Sequence, residues 1–125
     1  MGNKDNNIIK QKSFLFASLI IKAYKYLTNE KKEFVLSKQL LRCGTSIGAN
    51  IHEAQESISK KEFNAKIYIS LKEARETEYW LLLLEHNEYF DMNKSLILEL
   101  KDQCEEILKL LTSITKSLNR RNDVK

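Results

Sequence analysis

The absence of proline is the feature of this sequence that most restricts its fold. Proline does not occur among the 125 residues, and glycine occurs only three times. A β-rich domain needs a turn every few residues, and proline and glycine supply much of that turn chemistry. The sequence therefore predicts an all-α protein in which long helices are joined by short polar connections.

The first half of the chain carries two segments with apolar residues at the three- and four-residue steps of an amphipathic helix. The first is expected to begin at Ser13, a candidate N-cap, and to end near Thr28. Its broad apolar face is expected to consist of Phe14, Ala17, Ile20, Ile21, Tyr24 and Leu27. The second is expected over about residues 33–56, with Ile58 continuing its apolar stripe. The polar residues between the two segments suit a short antiparallel connection.

The second half carries two more such segments, each with a recognisable start. Ser59 and Glu62 form a capping-box pattern for the third helix, and Asn93 is a candidate N-cap for the fourth. The predicted core stripe of the third helix is Phe63, Ile67, Leu71, Ala74, Leu81 and Leu84. The fourth helix has the most regular seam, made of Ile97, Leu100, Cys104, Ile107, Leu111, Ile114 and Leu118. Four such helices predict an antiparallel up-down-up-down four-helix bundle.

The net charge of +4 is concentrated near the two ends of the chain. We therefore expect a flexible basic tail over residues 1–12, the bundle over 13–118 and a second basic tail over 119–125. No apolar run is long enough to cross a membrane, and the polar N-terminal region does not resemble a secretory signal. Cys43 and Cys104 form no CxxC pair, which favours buried, reduced thiols and a cytoplasmic protein.

The sequence offers little of the chemistry that enzymes use. His52 and Glu53 begin like the zinc motif HExxH, but the fifth position is Glu56, so the second histidine ligand is missing. No phosphate-binding loop, dinucleotide fingerprint or nucleophile elbow is present. We expect no catalytic residue, metal or cofactor. The alternative that stays open is a metal-dependent enzyme using the carboxylates of the second and third helices.

The second predicted helix contains an unusual combination of small and polar residues. Gly44 and Gly48 interrupt its apolar stripe, which indicates that another backbone passes too close for a Cβ atom. A polar line runs beside them and consists of Arg42, Ser46, Asn50 and Glu53. In a structural interpretation, Arg42 or Asn50 pairs with carboxylates of the third helix such as Glu76. In a functional interpretation, the line faces a neighbouring subunit or an anionic ligand.

These residues resemble a known family, the bacterial four helix bundle proteins, also called 23S rRNA intervening-sequence proteins. The resemblance extends from about Phe14 to Leu111, and many members carry Glu-Gly where this chain has Glu53-Ala54. The matching positions are Arg42, Ser46, Ile47, Asn50, Ile51, Glu53, Phe63, Glu76 and Glu78. The resemblance implies a ring-shaped homopentamer without enzymatic activity. A related branch, the accessory protein of diversity-generating retroelements, has a basic pentameric barrel that binds nucleic acid and a reverse transcriptase.

These observations together predict a non-catalytic, homo-oligomeric binding module that acts on RNA or DNA, or on a protein that handles nucleic acid. Arg42, Gly44, Ser46, Gly48, Asn50, Glu53, Glu76 and Glu78 are expected to form its structural or interface motif. The candidate phosphate contacts are Lys22, Lys25, Lys60, Lys61, Lys66, Lys72, Arg120 and Arg121. A purely structural assembly protein that binds no nucleic acid is the main alternative.

Overall fold

The computed structural model describes the backbone of residues 4–123 and the side chains of residues 6–120. Within this range the chain forms four helices and no strand: α1 (Lys4–Asn29), α2 (Leu36–Gln55), α3 (Lys60–His86) and α4 (Lys94–Asp123). Each helix packs against the next one in the chain, and α1 also packs against α4, so α1 lies diagonally across from α3 and α2 from α4. The predicted all-α four-helix bundle is confirmed.

The core lies along the axis of the bundle, where all four helices contribute apolar side chains. Every residue of the stripes predicted for the third and fourth helices is buried in α3 and α4. Seams with steps of three and four residues allow neighbouring helices to pack at a shallow angle. The sequence pattern was therefore sufficient to place these two helices correctly against the core.

The N-terminal helix begins earlier than the sequence predicts. α1 starts at Lys4, and Ser13 lies inside it, where its Oγ donates to the carbonyl of Lys10 at 3.1 Å. Ile9 is buried, so residues 4–12 belong to the bundle and are not a tail. Ile20 and Leu27 of the predicted apolar face are buried as expected. Phe14 is instead 71% exposed, and Phe16, which is not part of the predicted face, is fully buried.

The C-terminal boundary and the α2–α3 connection also differ from expectation. α4 continues to Asp123, so most of the predicted tail over residues 119–125 is helical. Ile58 is 95% exposed and lies in the connection after α2, because the helix ends before the apolar stripe reaches it. Residues 1–3 and 124–125, which belong to the two predicted tails, lie outside the described part of the chain.

Side chains cap three of the helices at their N-termini. The Ser59 Oγ accepts from the backbone N–H of Glu62 at 3.1 Å, and Asn93 Oδ1 accepts from that of Leu96 at 3.2 Å, so both predicted caps are confirmed. The sequence places the start of the second helix at about Glu33. Glu33 instead lies before α2. Its carboxylate accepts hydrogen bonds from three backbone N–H groups at the start of that helix. An acceptor at this position satisfies donors that have no partner within the helix.

Both cysteines are free and buried within the bundle. Burial raises the pKa of the Cys43 thiol to about 11 and that of the Cys104 thiol to about 12. The Cys43 thiol donates to the carbonyl of Leu40, and the Cys104 thiol donates to the carbonyl of Ala74. Since the thiolate is the reactive form, both cysteines are chemically protected in the folded protein.

We expect a thiol reagent such as dithionitrobenzoate to label the native protein very slowly near pH 8. An unperturbed thiol has a pKa of about 8.5, so the smaller thiolate fraction alone slows the labelling of Cys43 by about 200-fold. Burial also blocks access of the reagent to the sulfur atom. The labelling rate, followed by absorbance with and without guanidinium, provides the measurement. Full labelling of the native protein at the rate of the unfolded chain would show that the thiols are not protected.

No helix within residues 4–123 combines the length and the apolar character that a membrane crossing requires.

Candidate functional site

The two glycines of α2 lie against α1. A Cβ atom built on Gly48 would lie 3.2 Å from the backbone oxygen of Ser13, and one on Gly44 would lie 2.7 Å from Cγ1 of Ile20. The predicted close approach of another backbone is present at Gly48, where the approaching helix is α1. Because a larger residue would push the helices apart, the glycines fix the spacing between α1 and α2.

Arg42 connects α2 to α3 at the surface of the bundle. Its Nη1 donates to Oε1 of Glu73 at 3.4 Å, and its Nη2 donates to Oε2 of Glu76. The same Glu76 oxygen accepts from Nε1 of Trp80 at 3.0 Å. Partial burial of the guanidinium opposes its charge, but the charges of Glu76 and Glu73 outweigh this effect and raise the pKa of Arg42. The predicted Arg42–Glu76 pair is present, although the Arg42 side chain is 49% exposed rather than buried.

The rest of the polar line makes local contacts. The Asn50 side-chain amide donates to the carbonyl of Ser46 at 2.8 Å, one turn earlier in α2. The Glu53 carboxylate accepts from Lys66 of α3 at 2.7 Å. This hydrogen bond lowers the pKa of Glu53 and raises the pKa of Lys66. The polar line therefore runs along the α2–α3 edge, and Lys66, a predicted phosphate contact, already has a carboxylate partner.

Gly44 and Gly48 face α1, and Glu78 is a further member of the predicted motif that lies away from this edge. Its exposed side chain lines a groove of about 460 Å³ together with Glu105, Leu108 and Lys109 of α4. It therefore faces α4, whereas Glu76 faces α2. The sequence motif is split between two sides of α3.

The structure does not bring the predicted phosphate contacts to one surface. Lys22 and Lys25 are exposed on α1, whereas Lys60, Lys61 and Lys72 are exposed on α3. Because α1 and α3 are diagonal in the bundle, their outer faces point in opposite directions. Arg120 is exposed near the end of α4, and the side chain of Arg121 lies outside the described residues.

Four basic side chains are exposed on α3 and α4 to either side of one contact between these helices, and we call them the basic strip: Lys72, Arg75, Lys116 and Arg120. The hydroxyl of Tyr68 donates to Oδ1 of Asn119, which shows that these parts of α3 and α4 face each other. Lys72 and Arg75 follow Tyr68 by one and two helical turns, while Lys116 and Arg120 flank Asn119. All four side chains are exposed, and none has an ion-pair or hydrogen-bond partner within the described residues.

Sequence reasoning found Lys72 and Arg120 but missed Arg75 and Lys116. The four-residue and three-residue steps from Tyr68 to Lys72 and Arg75 place all three residues on one stripe. The stripe alone does not show which residues of α4 lie opposite, because that depends on the alignment of the two helices. The structure provides the alignment through the Tyr68–Asn119 hydrogen bond.

A second surface feature is a groove between α1 and α2, with a volume of about 700 Å³, which we call the α1–α2 groove. Its small lining residues are Ala17, Gly48 and Ala49, and exposed Phe14 lines it on the α1 side. Lys10, His52 and Glu53 also line it. Most of the exposed lining is apolar, which suits contact with another apolar surface.

The carboxylates that an enzyme of the metal-dependent class would need are not gathered. Glu73 and Glu76 contact Arg42, and Glu53 contacts Lys66. Among residues 6–120 no group of three or more histidine, cysteine, aspartate or glutamate side chains is arranged to hold a metal ion.

Comparisons with known proteins agree with this architecture. The chain is similar to a crystal structure of a protein with unknown function from the S23 ribosomal protein family of Bacteroides thetaiotaomicron VPI-5482. The two sequences are 51% identical, the similarity covers 90% of this chain and 98% of the other, and the TM-score is 0.84. No curated protein matches the chain.

A sequence profile gives the family directly. The profile described as 23S rRNA-intervening sequence protein matches residues 5–113, which includes α2, α3 and most of α1 and α4. This range contains the glycines of α2, the polar line and two residues of the basic strip, Lys72 and Arg75. The chain therefore belongs to the 23S rRNA-intervening sequence protein family.

Proposed function

We propose that this protein is a non-enzymatic binding module that works as a homo-oligomer and binds RNA through the basic strip. The family description associates its members with an intervening sequence of 23S rRNA, which makes RNA the first ligand to consider. The ring-shaped homopentamer implied by the sequence resemblance is the assembly we propose. The free, buried thiols of Cys43 and Cys104 fit a reducing compartment, so we place the protein in the cytoplasm.

The observation that carries this proposal is the placement of the four cations of the basic strip on two adjacent helices, none with an ion-pair partner among the described residues. Elsewhere in the bundle, lysines such as Lys12, Lys31 and Lys101 each contact a carboxylate. Lys22 and Lys25 also have no such partner but lie on α1, and Lys116 and Arg120 share their groove with the carboxylates of Glu78 and Glu105. A row of exposed cations attracts the phosphates of a nucleic acid backbone and releases condensed counterions when it binds.

Assembly strengthens such an interaction. Each chain has a formal net charge of +4, so a ring of five chains would carry +20. Each ring would also present the basic strip five times, which raises the effective concentration of phosphate contacts on one RNA molecule. The weak contacts of the single strips would thereby combine into a higher affinity of the whole ring for RNA.

The test compares two double variants that remove the same charge from different surfaces. Lys72→Gln with Lys116→Gln neutralises half of the basic strip, while Lys22→Gln with Lys25→Gln neutralises two lysines on α1. The strip variant should bind a structured RNA at least about 10-fold more weakly at low salt, because each phosphate contact contributes to the salt-dependent term. It should also reduce the slope of log K against log salt by about 2 for each strip engaged. Fluorescence anisotropy with labelled RNA over a salt series measures both quantities.

The control variant should retain the wild-type affinity and slope. Equal weakening by both double variants would show that only the total charge matters and that the basic strip is not the binding surface. A wild-type protein without affinity for structured RNA at low salt would contradict the function and favour an assembly protein that binds no nucleic acid. A parallel series with duplex DNA shows whether the strip distinguishes the two nucleic acids.

A further inference from the structure

We infer that the basic strip binds unpaired nucleotides of RNA. Tyr68 and Tyr79 of α3 stack on the bases, while Lys72 and Arg75 contact the phosphates between them. The inference rests on the proposed function and deepens it, because it names the form of RNA that the strip accepts and assigns two further binding residues.

The two tyrosines and the two cations lie on one stripe of α3. Steps of four, three and four residues lead from Tyr68 through Lys72 and Arg75 to Tyr79, which places all four side chains on one face of the helix. Tyr68 is 37% exposed and Tyr79 is 58% exposed. Lys61, which is also exposed, lies on the same stripe two turns before Tyr68. Aromatic rings that alternate with cations along a surface are typical of proteins that bind single-stranded nucleic acid.

Contacts within the bundle hold both rings in place. The hydroxyl of Tyr68 donates to Oδ1 of Asn119 in α4. The ring of Trp80 packs edge-on against Tyr79 with 5.3 Å between the ring centroids, and Nε1 of Trp80 donates to Glu76. Because the rings are restricted before RNA binds, stacking a base on them costs less conformational entropy.

A recess beside Tyr79 offers space for a base. It has a volume of about 500 Å³, and Leu82 and Leu83 line it together with Tyr79. Glu85 also lines the recess, but its carboxylate accepts from Nζ of Lys101 at 2.8 Å. A base that stacks on Tyr79 can therefore contact the two leucine side chains as well, and it does not meet an unpaired carboxylate at Glu85.

The carboxylates next to the stripe have cationic neighbours. Glu76 accepts from Arg42 of α2. Glu78 lies on the α4 side of the stripe, in a groove that Lys116 and Arg120 also line. These cations reduce the repulsion between the two carboxylates and the phosphates of a bound RNA.

The spacing of the rings favours unpaired nucleotides over a double helix. Tyr68 and Tyr79 are eleven residues apart, which is roughly 16 Å along an α-helix. Successive bases in a duplex strand are only about 3.4 Å apart, and their faces are covered by their neighbours in the stack. Unpaired nucleotides can turn their bases outward onto aromatic side chains. The two rings would hold two such bases, with the intervening phosphates near the two cations.

The experiment compares two forms of one RNA, namely a labelled oligonucleotide without secondary structure and the same strand annealed to its complement. Tyr68→Leu combined with Tyr79→Leu removes both rings and keeps every charge. Tyr68→Phe combined with Tyr79→Phe keeps both rings and removes the hydroxyl groups. Tyr24→Leu, next to exposed Lys25 on α1, is the control away from the strip. Tyr79→Leu alone, at the more exposed position, replaces the leucine double variant if that variant does not fold.

Fluorescence anisotropy over a salt series measures the affinities, and circular dichroism verifies that each variant is helical. The wild type should bind the single strand more tightly than the duplex, although the duplex has the higher charge density. The leucine double variant should bind the single strand at least about 10-fold more weakly, since stacking on one aromatic ring contributes roughly 5-fold or more for each base. Its affinity for the duplex and its slope of log K against log salt should not change, because no phosphate contact is lost. The phenylalanine double variant and Tyr24→Leu should keep the wild-type affinity.

Three results would contradict these expectations, and they differ in what they overturn. Equal wild-type affinity for the two forms, unchanged in the leucine double variant, would overturn this inference and leave RNA binding by the basic strip intact. An equal loss in the phenylalanine double variant would also overturn it, because the hydroxyl contacts and not the rings would then be responsible. A wild type that binds neither form at low salt would overturn the proposed function itself.

Discussion

Replacing Phe16 with alanine is expected to lower the free energy of unfolding by about 3–5 kcal/mol. Phe16 is one of the largest fully buried side chains, and it lies on the stripe of α1 that includes Ile9, Ile20 and Leu27. The substitution removes an aromatic ring from the centre of the bundle and leaves a cavity that the four helices can only partly fill. Guanidinium denaturation followed by circular dichroism at a fixed protein concentration measures the change.

Phe14→Ala provides the matched control, two residues away in the same helix. Because Phe14 is 71% exposed, its removal should change the free energy of unfolding by no more than about 0.5 kcal/mol. The comparison tests the register of α1 directly. Equal losses for the two variants, or a larger loss for Phe14→Ala, would show that α1 is rotated from the position described above.

Gly44→Leu is expected to destabilise the bundle by about 3 kcal/mol, at the upper end of the usual range for overpacked cores. A Cβ atom at this position would lie 2.7–2.9 Å from three side-chain carbons of Ile20, and Ile20 is itself fully buried. The added side chain can be accommodated only if α1 and α2 move apart. Such a movement would also disturb the close approach of Ser13 to Gly48.

A second-site variant separates steric conflict from a need for the backbone freedom of glycine. Gly44 does not have a positive φ, so nothing in its backbone conformation excludes other residues. Combining Gly44→Leu with Ile20→Ala should recover at least about 1 kcal/mol relative to the sum of the two single losses, because the larger residue fills the space left by the smaller one. If the stability loss of the double variant equals the sum of the two single losses, the steric explanation is contradicted. Ala65→Leu, at an exposed position of α3, should be nearly neutral.

How far the sequence predicts the fold depends on how clearly each helix separates apolar from polar positions. In α4, polar residues stand between the members of the seam, so only one face can be buried. In α1, the consecutive apolar residues Phe14, Leu15 and Phe16 fit several rotations of the helix equally well. Packing against α2 decides between these rotations of α1. The missing side chains at Gly44 and Gly48 leave space for Ile20 and Ser13. That long-range information is not contained in the periodicity of α1.

The candidate site was predictable only where the sequence motif itself offered a pair of opposite charges. Arg42 and Glu76 both belong to the sequence motif. Their opposite charges correctly predicted that the two side chains pair between α2 and α3. The basic strip needed the alignment of α3 with α4, which the Tyr68–Asn119 contact defines. Charge alone also did not separate Lys66, which has Glu53 as a partner, from Lys72, which has none among the described residues.

Sedimentation velocity of a labelled structured RNA with the wild-type protein tests assembly and RNA binding in one experiment. At low salt, we expect the RNA to sediment with a protein assembly larger than one chain, and the complex to dissociate progressively as salt is raised. The unbound protein in the same experiment should also sediment as an assembly. A protein that sediments as a single chain of 14.7 kDa, with RNA that sediments unchanged at low salt, would contradict the account.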